Sequence, residues 1–299
     1  ISRKGFRNKD HFISLGRLFI DVKIFSLLQK NVVIEKIILD KLEILVEVDK
    51  RGSFNFDDLV PKEDPKKAKV AVKKAPKEKK QEALPISFRM NSFEIKNSKI
   101  VYFNRKEGQE IILNDINQTL SVKFDPEMKN VVTQGLFEIK KMAVRGRGLP
   151  VKKSGMYFML RHKLQVNVKD GNLTIKDFTV GFQKTILTTK GSVLGFDKKV
   201  KKLNLSVFTN TIRFQDLFRE VPAAMFPQAR KMSVKGNAKL FMTIKGKMDS
   251  SKAGSLPGIN GKLSINKAEF KYADLPQSIN GLNADIRFTP DSLNIKKFV

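Results

Sequence analysis

Leu18-Phe-Ile-Asp-Val-Lys-Ile24, Val32-Val-Ile-Glu-Lys-Ile-Ile-Leu39 and Leu42-Glu-Ile-Leu-Val-Glu-Val48 follow one another near the start of the chain. Apolar residues recur in them at close to every second position, with Asp, Lys or Glu between. That period belongs to a strand with one face buried and the other wet. The pattern returns in Ile86-Ser-Phe88, Phe93-Glu-Ile95, Ile100-Val-Tyr102, Ile111-Ile-Leu113 and Leu120-Ser-Val-Lys-Phe124. It continues in Leu164-Gln-Val-Asn-Val168, Leu173-Thr-Ile175, Phe178-Thr-Val-Gly-Phe182, Leu203-Asn-Leu-Ser-Val207, Leu240 to Ile244, Leu263-Ser-Ile265, Phe270-Lys-Tyr272 and Ile286-Arg-Phe288. One-sided alternation predicts an antiparallel sheet rather than a parallel one covered on both faces. Asp170-Gly171 predicts a hairpin turn, and Asn260-Gly261 and Asn280-Gly281 predict turns that each start a strand.

Two segments break the pattern. Residues 61–84 are mostly Pro, Ala, Lys and Glu, with nine Lys against four acids, and that composition predicts a flexible loop. Residues 214–231 read as a short amphipathic helix broken at Pro222 and Pro227. Phe25-Ser-Leu-Leu28 reads as one helical turn between strands. The organisation expected is a β segment over 1–60, the loop over 61–84, and a continuing β region over 85–299 with the broken helix inside it. The chain starts at Ile1 and stops at Val299, just after a strand-like run, which reads as a piece of a longer protein.

Composition excludes much. The 299 residues contain no Cys, so disulfides, Cys-ligated zinc, iron–sulfur clusters and thiol catalysis are out. Two His leave little for a metal site or a His-dependent triad. A net charge of +28 favours anionic partners, but the basic residues are 45 Lys and 13 Arg scattered through nearly every segment. Specific nucleic-acid readers rely on Arg, whose planar fork pairs bidentately, so dispersed Lys argues against nucleic acid. No run of about eighteen apolar residues exists to span a membrane as a helix.

The sequence carries no recognisable catalytic motif. Gly146-Arg-Gly148 fits no phosphate-binding or dinucleotide motif and reads as a basic turn. Asp57-Asp58 follows Phe54-Asn-Phe56; neighbours on a strand point to opposite faces, so the pair reads as a turn cap rather than an acid–base couple. His11 and His162 lie among charged residues and read as surface or strand positions. The sequence therefore predicts no enzyme, no cofactor and no metal. What remains is the apolar face itself, which must be covered. Periodicity alone leaves two solutions open: a sandwich or barrel with a dry core, or an open groove for acyl chains.

Between residues 18 and 60 the order of features resembles the AsmA-like family. Leu18 to Ile24, the apolar turn Phe25-Ser-Leu-Leu-Gln29, the strands Val32–Leu39 and Leu42–Val48, and Arg51-Gly-Ser-Phe-Asn-Phe56 with Asp57-Asp-Leu59 follow that family's N-terminal layout, including its Gly-x-x-Asn-aromatic element. Ile86-Ser-Phe-Arg-Met-Asn-Ser-Phe-Glu-Ile-Lys-Asn-Ser-Lys-Ile-Val-Tyr102 is similar to its recurring unit of apolar strand, short turn and strand. Gly261-Lys-Leu-Ser-Ile-Asn-Lys-Ala-Glu-Phe-Lys-Tyr-Ala-Asp-Leu-Pro276 onward to Phe288 resembles its C-terminal portion.

The resemblance implies an all-β fold: an elongated, highly twisted antiparallel sheet curled into a taco-like groove with an apolar interior and few short helices. It implies a non-enzymatic protein that binds phospholipid and moves it between inner and outer membranes. The implied place is the periplasm of a Gram-negative-type cell, with an inner-membrane anchor preceding Ile1 and other envelope proteins as possible partners. A periplasmic assembly scaffold with a dry β-core is the alternative, and a nucleic-acid binder is disfavoured. The groove-lining candidates are the apolar members of the alternating pairs: Ile20, Val22, Ile24, Ile44, Val46, Phe88, Ile95, Val122, Val166, Val168, Ile175, Leu205, Val207, Ile244, Leu263, Ile265, Phe270, Ile286 and Phe288.

Overall fold

A computed structural model describes residues 12–28, 31–57, 87–125, 127, 129–147, 153–216, 232–252, 255–273 and 276–298. They form one sheet. Its strands are β1 (Ile13–Val22), β2 (Asn31–Val48), β3 (Ser87–Asn104), β4 (Gln109–Phe124), β5 (Asn130–Gly146), β6 (Lys153–Asn167) and β7 (Asn172–Phe182), then β8 (Thr185–Leu194), β9 (Val200–Thr209), β10 (Ile212–Arg213), β11 (Met232–Asp249), β12 (Gly258–Tyr272), β13 (Ile279–Phe288) and β14 (Leu293–Phe298). Apart from the short β10, which pairs with β11, the strands lie side by side in chain order. A single helical turn, α1 (Ile24–Leu27), joins β1 to β2. The expected loop at 61–84 lies outside the described residues, as does most of the expected helix, of which 214–216 are helical.

The sheet is antiparallel except between β2 and β3, which run parallel. Only a long connection can join parallel neighbours, and 38 residues separate the end of β2 from the start of β3. The Asp170-Gly171 turn is present at the β6–β7 hairpin. Asn260-Gly261 and Asn280-Gly281 instead lie inside β12 and β13.

Several of the predicted short strands fuse. Val32–Leu39 and Leu42–Val48 are both β2, while Phe93–Ile95 and Ile100–Tyr102 are both β3. The joint in each is one residue in left-handed conformation, Lys41 at φ 57° and Asn97 at φ 50°. The register is the same on both sides, Asp40 pairing Lys96 and Glu43 pairing Lys99, so the two joints lie side by side. Asp115, at φ 53°, continues the crease into β4, where the pairing shifts around Ser98. Asn and Asp tolerate this conformation better than most residues, and side chains hold it here. Asn97 donates its side-chain N–H to Asp40 at 3.2 Å. The Asn97 backbone N–H donates to the Asn117 side-chain oxygen at 3.2 Å, and the Asn117 amide donates to the Asp115 carbonyl at 3.0 Å.

The same device recurs far along the sheet. Lys267 in β12 has φ 48° and Gly281 in β13 has φ 73°. The Lys267 N–H donates to Asn283 Oδ1 at 3.0 Å, and Asn283 donates to the Gly281 carbonyl at 2.9 Å. Residues five apart in a regular strand face opposite ways. A bulge between them re-aims the chain. Leu39 and Ile44, Ile95 and Ile100, and Ile265 and Phe270 are such pairs, so the apolar face continues across each crease.

The expected taco-like groove is not formed. The sheet is elongated and mostly antiparallel, but neither closed nor strongly curled, and among the described residues β1 and β14 each pair on one side only. A curled sheet would bury its inner face; of the groove candidates only Val207 is buried, while Ile20, Val22, Ile24 and Val168 are exposed and the others half-buried. The buried apolar residues among those described are few: Ile38, Val48, Ile116, Ile139, Met156, Val207, Ala238, Ala268 and Ala284. Alternation reports which residues share a face. Curvature depends on twist and on where bulges fall, which alternation does not encode.

Candidate functional site

Strand register lines the apolar residues up in rows perpendicular to the strands. One row runs Val22, Ile34, Met90, Val122, Thr133, Leu164, Ile175, Gly191, Leu205, Ile244 and Ile259, crossing from β1 to β12. At about 4.8 Å per strand it is roughly 50 Å long. A second row carries Ile20, Ile37, Phe93, Leu120, Gly135, His162, Phe178, Thr189, Val207, Met242, Gly261, Phe288 and Leu293. A third contains Phe124, Val131, Val166, Leu173, Val193 and Leu203. Phe88 joins it through an edge-to-face contact with Phe124, the rings 5.8 Å apart.

Most of the sequence-derived candidates meet on this face. Ile20, Val22, Phe88, Val122, Val166, Ile175, Leu205, Val207, Ile244 and Phe288 stand in these three rows. Ile95 sits one row further on, between Leu39 and Gln118. Ile44 and Val46 continue the face beyond the β2 crease, beside Ile100 and Tyr102. Leu263 pairs Leu240 and Ile286, Ile265 pairs Ala238 and Ala284, and Phe270 pairs Val234 and Ile279. Ile24 stands apart on α1, and Val168 on the β6–β7 turn. Ile34, Met90, Leu164, Leu120, Phe178 and Met242 belong to the rows as well; Met90, Leu120, Leu164 and Met242 share the parity of Phe88, Val122, Val166 and Ile244, whereas Phe178 reaches the face of Ile175 only through the register shift between them.

The rows also hold a histidine. His162 shares the parity of Leu160 and Leu164, which places it on the apolar face, half-buried between Gly135 and Phe178. Its Nε2 lies 3.0 Å from Thr133 Oγ1, and burial pushes its pKa below the ordinary histidine value. A Cβ on Gly135 would stand 2.5 Å from the Thr119 carbonyl and 3.0 Å from the His162 ring, so only glycine fits there. His11 lies outside the described residues.

The opposite face is polar and ion-paired. Glu94 receives Lys96 at 2.6 Å and Lys36 at 3.0 Å. The Lys96 hydrogen bond above all, with Lys36 and Ser92 and against the upward push of burial, brings the Glu94 pKa down to about 2. A cavity of about 470 Å³ opens on this side, lined by Ser92, Thr119, Ser121, Gln134, Arg161 and Asp177 among others. Burial pushes the Asp177 carboxyl up, but hydrogen bonds from Arg161 and Thr179 outweigh it and hold the group below the ordinary range. Leu120, Leu136 and His162 also line it, so the cavity offers a mixed polar and apolar lining.

At one end of β2, the Gly-x-x-Asn-aromatic element has a structural task. β1 stops pairing where the Leu45 N–H donates to the Phe12 carbonyl at 2.7 Å. Beyond that point Asn55 takes the place of a strand. Its Oδ1 accepts the Glu47 N–H at 3.0 Å, and its Nδ2 donates to the Leu45 carbonyl at 2.7 Å. Its own N–H donates to the Glu47 carbonyl at 2.9 Å. The fully buried Glu47 side chain pairs with Arg105 at 2.6 Å. Asp57 caps the turn by accepting the Phe54 N–H at 2.7 Å, as the sequence predicts, while Asp58 lies outside the described residues.

Among the described residues no group of three His, Cys, Asp or Glu is placed to hold a metal ion, and no helix is long and apolar enough to cross a membrane. The model of the AsmA family matches residues 1–218. Neither the curated proteins nor the solved structures gave a match.

Proposed function

Because the chain belongs to the AsmA family, whose members are non-catalytic, periplasmic and membrane-anchored, we propose that it holds phospholipid acyl chains against the open apolar face of its sheet and passes them between the inner and outer membranes of a Gram-negative-type cell. The observation that carries this reading is the set of apolar rows, left half-exposed across most of the sheet. Each methylene taken from water onto such a row gains about 0.8 kcal/mol. The contact has no directional bonds, so a chain can slide from strand to strand. Head groups remain in water. The exposed Leu18, Ile20 and Val22 lead to Ile24 and Phe25 on α1, which makes the β1 corner the natural point of entry.

Native mass spectrometry with lipid extraction, on protein purified without detergent, tests the reading. One or more phospholipids per chain are expected, and the double variant Ile175→Asp with Leu205→Asp should lose them. A wild-type protein free of lipid, or a double variant that keeps its lipid, refutes the proposal. The edges of β1 and β14, unpaired on one side among the described residues, favour a second reading, an envelope scaffold that pairs with other chains. A lipid-free protein that captures an envelope partner through either edge would point there.

A further inference from the structure

Lysines outnumber acids at one rim of the sheet, where Lys198, Lys199, Lys201, Lys202, Lys245, Lys247 and Lys252 stand against Asp197 and Asp249. Lys202 in β9 pairs directly across from Lys247 in β11, and Lys245 lies one same-face position further along β11. Like charges directly opposite on neighbouring strands are unfavourable. Lys198 and Lys199 stand in the β8–β9 turn, Lys201 follows in β9, and Lys252 lies in the β11–β12 turn. Two bonds join these turns: the Ser250 N–H and Ser250 Oγ both donate to the Lys199 carbonyl at 3.0 Å.

None of these ammonium groups forms an ion pair among the described residues. The nearby carboxylates are directed elsewhere. Asp249 accepts from the Ser251 N–H and hydroxyl at 3.0 and 2.6 Å, and Asp197 packs against Gly171. Large apolar side chains stand among the lysines at the same rim: Leu256 is 69% exposed, Val200 47% and Leu194 41%.

We infer that this rim docks on a bilayer surface rich in anionic phospholipid. The unpaired lysines meet lipid phosphates, and Leu256, Val200 and Leu194 enter the boundary between head groups and acyl chains. Charge supplies the attraction, and the like-charged Lys202–Lys247 pair is relieved when phosphate lies over it. The apolar residues select the bilayer over nucleic acid, because a phosphate backbone offers nothing for Leu256 to enter. The contact is sideways, along the rim of β8, β9 and β11, and it is independent of acyl chains held on the apolar face.

Flotation of the full chain with vesicles tests it. Binding is expected to phosphatidylcholine vesicles containing phosphatidylglycerol, weakening as salt rises, and not to pure phosphatidylcholine. Lys202→Gln with Lys247→Gln should weaken binding roughly 30-fold, at about fivefold per lysine. Leu256→Asp, on an exposed turn where folding does not depend on it, should weaken binding as well. Native mass spectrometry of Lys202→Gln with Lys247→Gln separates the two proposals, since lipid on the apolar face should remain. Equal binding to both vesicle types, unchanged binding of these variants, or equal affinity for a short DNA duplex that Leu256→Asp leaves intact would overturn the inference.

Discussion

Asn55→Ala should be among the most damaging single substitutions in the N-terminal part of the sheet. Asn55 is 2% exposed, and its side-chain amide occupies the place of a peptide group where β1 has run out. Truncation leaves the Glu47 N–H and the Leu45 carbonyl without those partners in a region too buried for water to replace them freely. Each orphaned group costs about 1–3 kcal/mol, and the half-buried Leu45 falls at the low end of about 1 kcal/mol, so a loss of about 2–4 kcal/mol is expected. With the steep denaturant dependence of a chain this size, the urea midpoint should fall by about 1 M. Asn55→Asp separates shape from chemistry. It keeps the volume and the acceptor but removes the donor to Leu45, and it adds negative charge beside the buried Glu47, so it should destabilise too. Hydrogen exchange reads the mechanism directly: the Glu47 amide should lose protection in Asn55→Ala, while amides in β7 and β8 keep theirs. An unchanged urea midpoint together with an unchanged Glu47 amide would refute the strand-substitute role.

Other outcomes follow from single positions. Gly191 has φ +134°, and a Cβ there would lie 2.0 Å from the Asn204 carbonyl, a backbone atom that cannot swing away. Gly191→Ala should therefore cost at least about 3 kcal/mol, from strain plus overpacking, whereas Gly52→Ala, at φ +91° with open space around it, should cost about 1 kcal/mol; parallel urea titrations compare them. Glu94 has its pKa lowered from 4.5 to about 2, so its ion pairs stabilise the fold fully above about pH 4.5, and that stability drains away as pH falls toward 2. Glu94→Gln should flatten this part of the acid-unfolding curve, and an identical curve would remove Glu94 from the account. Asn283→Ala removes the bond that holds Lys267 in left-handed conformation, and hydrogen exchange should report loss of protection at the Lys267 amide.

The alternation in Leu18–Ile24, Val32–Leu39 and the later runs was enough to identify a one-sided sheet, because period two follows from strand geometry alone. The same runs misjudged strand length. Two apolar residues five apart, such as Ile95 and Ile100, read as separate strands with a turn between, and only φ at Asn97 shows a single strand passing through a crease. The parallel β2–β3 pair was illegible because its connection has no period to read. Curl was borrowed from resemblance, and the half-exposed rows correct it. His162 was legible in principle, since Leu160-x-His162-x-Leu164 puts it on the apolar face. The lysine patch was not, because Lys202 and Lys247 become neighbours only through the pairing of β9 with β11.

The creases set a phase for the strands that cross them. Lys41 and Asn97 each take up one residue's worth of alternation at the same level of the sheet, so everything beyond them in β2 and β3 is counted from that point. Deleting Lys41 alone would slip one strand out of step with both neighbours and turn the stretch from Leu42 to Val48 inside out. Losing Lys41 and Asn97 together would preserve the match between β2 and β3, yet leave β4 counting from Asp115. Insertions and deletions in this sheet can therefore persist only as coordinated sets, and the row of left-handed residues serves as the reading frame by which successive strands agree on which face is which.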